Sequence, residues 1–179
     1  MTPFTGLTKL NLLVLEENYL SGSIPESFEF LENLVTFDVS NNKLSGTIAS
    51  SIFSNMKSLN QSFMGSNYFS GPVPLPYSTN LTAFDISNNL FTGTIPGEYF
   101  DLPNLLTFSS SVNCLSTKLP SSICNSTNLK YLYICGLSQS DKCDRETKKK
   151  LARDQYVRPV RLPSCLRSMS SLESLYISG

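Results

Sequence analysis

Apolar and polar residues alternate in short runs along this chain, and the runs come back at near-regular intervals. Phe37-Asp38-Val39 and Phe84-Asp85-Ile86 each send two apolar side chains one way and a carboxylate the other, the period of two that marks a half-buried strand. An asparagine follows each run, then Ser-Gly or Thr-Gly, then an isoleucine. The asparagines are Asn18, Asn42, Asn67, Asn89 and Asn113, spaced by 24, 25, 22 and 24 residues. A period of this length predicts a solenoid, in which one repeat cannot bury its apolar face and stacking supplies the core.

The copies differ in quality. The first runs from Leu10 to Pro25 and the second from Leu34 to Ile48, with Ala49 in the place of a proline. The third, Leu59 to Pro74, puts Ser62 at an apolar position and Phe63 at an outward one. The fourth is Leu81 to Pro96. The fifth, Leu105 to Pro120, has Ser110 for an aliphatic residue and Thr117 for the glycine. A sixth opens at Leu129 and loses its asparagine, and a last one opens at Leu172. The asparagine amide after each strand is suited to bond nearby backbone and turn the chain, which predicts a buried ladder with a structural role. Phe28-x-x-Leu31 and Ile52-Phe53-x-x-Met56 have the spacing of short helical turns.

The full phrase, L-x-x-L-x-L-x-x-N-x-L-(S/T)-G-x-(I/L)-P, resembles the leucine-rich repeats of plant extracellular proteins, over about residues 7–137 and again from about 162. The resemblance implies an α/β solenoid: a curved array with parallel strands on the concave face, few helices and short convex turns. It also implies a receptor-like or secreted recognition protein without catalysis in the array. The expected organisation is a repeat array at 1–137, a charged insertion at 138–161 and a resumed repeat at 162–179. Neither end shows a polar cap, so the chain reads as a fragment of a longer parent.

Charge and cysteine sharpen this outline. Net charge is zero, which gives no reason to expect a nucleic-acid partner. From Asp141 to Arg161, however, 12 of 21 residues are charged, eight of them basic, and the stretch reads either as a protruding loop with a short helix near Glu146 to Tyr156 or as a disordered insertion. With Tyr156 its only ring, the stretch lacks the aromatic spacing of a base-stacking surface and reads as solvated. No leader or run of about 20 apolar residues is present, so a membrane association would come through a segment outside these residues. Asn60, Asn80 and Asn125 open N-x-(S/T) triplets, acceptors for glycosylation on a secretory route. The expected location is extracellular or at the cell surface. Of five cysteines, Cys135 with Cys143, or Cys114 with Cys124, are spaced to pair, and the sequence leaves the pairing open.

Catalysis finds little support. There is no histidine, hence no imidazole base and no Ser-His-Asp or Cys-His arrangement. Asp38 and Asp85 fall two repeats apart, about 10 Å at one strand spacing per coil, wide for a carboxylate pair. No cofactor or metal site is expected. The columns of outward strand positions are more informative. One is Val14, Asp38, Phe63, Asp85, Ser109, Tyr133, Tyr176, and Tyr131 and Glu16 lie in the columns on either side. Phe63, Tyr131 and Tyr133 are candidate anchors for a protein or peptide, or a glycan, with Asp38, Asp85 and Glu16 placing a basic group. The alternative reading of these columns is that their small and polar residues simply keep an exposed face soluble. The leading expectation is a peptide- or protein-binding module of a receptor-like surface protein. Alternatives are a secreted enzyme inhibitor or wall-associated structural protein, and a degenerate fragment without independent function.

Overall fold

The computed structural model describes residues 6–116, 118–135, 143 and 162–177. Seven three-residue strands form one parallel sheet in sequential order: Leu12–Val14, Thr36–Asp38, Gln61–Phe63, Ala83–Asp85, Thr107–Ser109, Tyr131–Tyr133 and Ser174–Tyr176. We number the coils 1 to 7 by these strands. The register is in phase throughout, so that Val14, Asp38, Phe63, Asp85, Ser109, Tyr133 and Tyr176 form one continuous row. Coils 1 to 5 carry a second parallel sheet, from Ser21–Gly22 through Lys43–Gly46, Tyr68–Pro72 and Leu90–Gly93 to Cys114–Leu115. The expected parallel solenoid is therefore the observed one.

The strand centres point inward and make the core. Phe37, Phe84, Phe108 and Leu132 are buried in one row, and Phe84 packs on Phe108 with ring centroids 5.9 Å apart. Tyr99 fills the space beside them, 4.4 Å from Phe84, and donates its hydroxyl to the Pro74 carbonyl at 2.7 Å. Burial holds its phenol well above the ordinary value, with Glu98 adding to the shift. Ser62 and Ser110 occupy the apolar positions where the repeat is degenerate. Both are fully buried, and their hydroxyls make no hydrogen bond, a cost of about 1–3 kcal/mol each.

The asparagine ladder joins coils as well as turning the chain. In coils 2 to 5 each Oδ1 accepts a backbone N–H from the preceding coil: Leu20 to Asn42, Leu44 to Asn67, Phe69 to Asn89 and Phe91 to Asn113, all at 2.9–3.0 Å. Each Nδ2 donates back to that coil, for example Asn89 to the Met64 carbonyl at 2.9 Å. Asn18 departs from the expected buried ladder. It is exposed and bonds only the Leu15 and Glu16 carbonyls of its own coil. The residue before each ladder asparagine is left-handed: Glu17, Asn41, Ser66, Asn88 and Val112, with φ between 52° and 57°. For β-branched Val112 that conformation is strained.

Helical turns follow the extended residues Pro25, Ala49, Pro96, Pro120 and Pro163. They include the two expected ones, at Glu26–Phe30 and Ser50–Asn55. Proline presets φ for an extended entry and needs no amide donor there. Coil 3 has no helix after Pro74; Pro76 restricts Leu75 to extended backbone.

The cysteines pair differently from both candidate schemes. Cys114 is bonded to Cys143 and Cys124 to Cys165, with Cα–Cα distances of 5.8 and 5.6 Å, and Cys135 is free. Stacking explains the second bridge: Cys124 lies in the helical turn Ser121–Asn125 and Cys165 in the next one, Ser164–Arg167. Cys114 and Cys124 sit on different sides of one coil, in a strand and in a helical turn. The charged stretch 138–161, with its candidate helix near Glu146 to Tyr156, and Thr117 lie outside the described residues, Cys143 excepted.

Candidate functional site

The outward strand row supplies a surface, and coil 3 interrupts it. Where coils 2, 4 and 5 carry Ser40, Ser87 and Ser111, coil 3 carries Gly65. A Cβ at Gly65 would stand 3.2 Å from both Asp85 Oδ2 and Ser87 Oγ. Its absence opens a cavity of about 310 Å³ bordered by Glu16, Asp38, Phe63, Gly65, Asp85 and Ser87. Four of the six candidate binding residues are thus brought together.

The two aspartates are held in similar ways. Asp38 Oδ1 accepts from the Ser40 amide at 3.0 Å and the Ser40 hydroxyl at 2.7 Å. Asp85 Oδ1 accepts from the Ser87 amide at 2.8 Å. In both, Oδ1 is tied to the strand end and Oδ2 is left available. Phe63 is half-buried between them in the same row. Among the described residues no cation pairs with Glu16, Asp38 or Asp85. The arrangement suits a positively charged group whose alkyl stem rests on a ring.

Tyr131 and Tyr133 lie elsewhere, at coil 6. Tyr131 donates its hydroxyl to Glu173 Oε2 at 2.6 Å, and Lys130 Nζ meets Glu173 Oε1 at 2.6 Å. These bonds hold Glu173 below the ordinary carboxylate value and raise Lys130 and Tyr131 above theirs. Tyr133 stacks on Tyr176 of coil 7, centroids 5.2 Å apart and planes 23° from parallel. Neither Gly65, whose missing side chain makes the cavity, nor Tyr176 was among the sequence candidates. The signal for Gly65 was its place in a serine column.

The glycosylation triplets differ in setting. Asn80 and Asn125 are exposed, Asn125 donating to Asp101 Oδ1 at 2.8 Å. Asn60 is half-buried, donating to the Asn80 carbonyl and accepting the Thr82 hydroxyl. Among the described residues no group of three or more Cys, Asp or Glu is placed to hold a metal ion, and no helix is long and apolar enough to cross a membrane.

Two leucine-rich-repeat family models match the chain, at residues 1–44 and 80–102. No curated protein matches it. Among solved structures, it is similar to a chain in the complex of the Arabidopsis receptor kinase HAESA with the peptide hormone IDA and the co-receptor SERK1. That match has 36% identity and a TM-score of 0.70, covering 74% of this chain and 22% of the other. It is 30% identical to a chain of the BIR3–SERK2 complex from Arabidopsis thaliana, over 73% of each chain with a TM-score of 0.61. The ectodomain of the Arabidopsis thaliana receptor kinase SOBIR1 matches at 28% identity and a TM-score of 0.66, over 71% of this chain and 69% of that one. The chain spans only 22–27% of the first three structural relatives. With its in-phase strands and asparagine ladder, the chain belongs to the leucine-rich repeat family, and its solenoid is homologous to the ectodomains of plant receptor-like kinases.

Proposed function

We propose that this chain is a non-catalytic recognition module that takes a peptide or protein segment on its concave face, within a receptor-like surface protein. The observation that carries the reading is the cavity over Gly65, where Glu16, Asp38 and Asp85 surround Phe63 without a cationic partner among the described residues. An acidic cavity with an apolar wall matches a lysine or arginine side chain of a ligand. A relative of similar fold is a receptor kinase in complex with a peptide hormone. The two disulfides and the exposed acceptors Asn80 and Asn125 support an oxidising, secretory compartment.

The test is a selection of random short peptides displayed on phage against the immobilised chain. Recovered peptides are then rebound to an Asp38→Asn, Asp85→Asn double variant of unchanged thermal stability. Binding is expected to fall by roughly tenfold or more, the equivalent of about 1.4 kcal/mol. Peptides that bind both proteins equally well would remove the cavity from the ligand site.

A further inference from the structure

The cavity is one of two features on the outward row. The other is at the opposite end, where Tyr133 and Tyr176 stack across coils 6 and 7. Tyr176 is 57% exposed, and neither of the two hydroxyls has a hydrogen bond among the described residues. A stacked pair fixed by consecutive strands has already lost its rotamer freedom, so a planar group that settles on it meets little further ordering cost. Beside it, Lys130 and Tyr131 both engage Glu173. This end of the face therefore offers aromatic surface with its neighbouring carboxylate already neutralised. The other end offers unpaired carboxylates.

Between them the row is small. Ser109 is the intervening residue, nine-tenths buried, with Thr107 and Ser111 half-buried to either side. A main chain can lie along this track without meeting a bulky side chain. From coil 3, at the centre of the cavity, to the midpoint of coils 6 and 7 is three and a half strand steps, about 17 Å at ~4.8 Å per step. An extended segment covers that distance in about five residues at ~3.3 Å each.

We infer that the ligand is an extended segment with two determinants: a lysine or arginine that enters the cavity over Gly65, and an aromatic side chain about five residues away that stacks on Tyr133 and Tyr176. The inference rests on the concave-face reading above and adds a second contact point and a spacing. Charge complementarity selects the cationic end, and the neutral tyrosine pair selects the ring.

The peptides recovered from the selection test it directly. They are sequenced, then rebound to a Tyr133→Ser, Tyr176→Ser variant and to the Asp38→Asn, Asp85→Asn variant, with circular dichroism confirming that both are folded. A Tyr133→Phe, Tyr176→Phe variant keeps the rings and serves as a second probe. The expected result is a pairing of Lys or Arg with Phe, Tyr or Trp at a separation of about five, binding reduced roughly tenfold in either disruptive variant, and retention in the phenylalanine variant. Basic peptides that lose binding only in the aspartate variant overturn the two-point ligand and leave the concave-face function standing. Peptides insensitive to both variants, or the absence of any enriched peptide, overturn both. Enrichment with no preferred spacing overturns the inference alone.

Discussion

Replacing Asn89 by alanine tests the cross-coil ladder most directly. Asn89 is 1% exposed and is the acceptor for the Phe69 amide at 2.9 Å. It also donates to the Met64, Ile86 and Ser87 carbonyls. Two of those carbonyls keep other donors, since Ile86 O accepts from Asn113 and Ser87 O from the Ser66 amide. Met64 O retains only a longer bond from Asn67, at 3.3 Å. The Phe69 amide is left buried without an acceptor, which costs about 1–3 kcal/mol, and the weakened Met64 carbonyl and lost amide contacts add about 1–2 kcal/mol. The expected loss is about 2–5 kcal/mol, a large part of the stability of an ordinary domain. Asn18→Ala is the internal control: Asn18 is exposed and bonds only its own coil, so water replaces the amide and the loss stays below about 1 kcal/mol. Urea unfolding followed by far-ultraviolet circular dichroism gives both values by linear extrapolation. Two variants within about 1 kcal/mol of each other would refute the ladder as a coil-to-coil fastener.

Val112→Asn is expected to raise stability by about 1 kcal/mol, because asparagine tolerates the φ of 55° that valine resists; a lower denaturation midpoint would count against strain at this position. Joint replacement of Cys124 and Cys165 by serine removes a link across 41 residues of sequence and should cost about 4 kcal/mol on the chain-entropy account; a melting temperature unchanged from the parent would refute it. The Glu173 cluster predicts a pH window. Glu173 is held low, so its contribution is present above the unfolded carboxyl value and lost as pH falls through the folded one. Lys130 and Tyr131 are held high, so theirs is full below their unfolded values and lost as pH rises through the folded ones. Glu173→Gln should flatten both limbs for coil 7, measured by amide exchange at Ser174, whose N–H bonds the Lys130 carbonyl; limbs unchanged in the variant would place the pH response elsewhere.

The architecture was legible because it is written in short-range periods. Alternation in Phe37-Asp38-Val39 assigns the inner and outer faces of a strand within three residues, and the recurring asparagine fixes the coil length, so the parallel register follows once the coils stack. The outward row that gathers Asp38, Phe63 and Asp85 follows from the same count. The cavity did not, because it depends on what is missing at Gly65 from a column of serines, and on the reach of Asp85 and Ser87 across one strand step.

Repetition of the L-x-L-x-x-N phrase by itself determined a stacked solenoid, its strand faces and the residues that share a row, since each rests on side chains a few positions apart. Tertiary structure alone decided the disulfides and the division of the six candidate residues into a cavity and a separate tyrosine surface. Those features join residues about one coil apart or more. Cys124 meets Cys165 because consecutive helical turns stack, and Tyr133 meets Tyr176 because the sheet resumes in phase 43 residues later. Local pattern specifies each coil; only stacking specifies what one coil presents to the next.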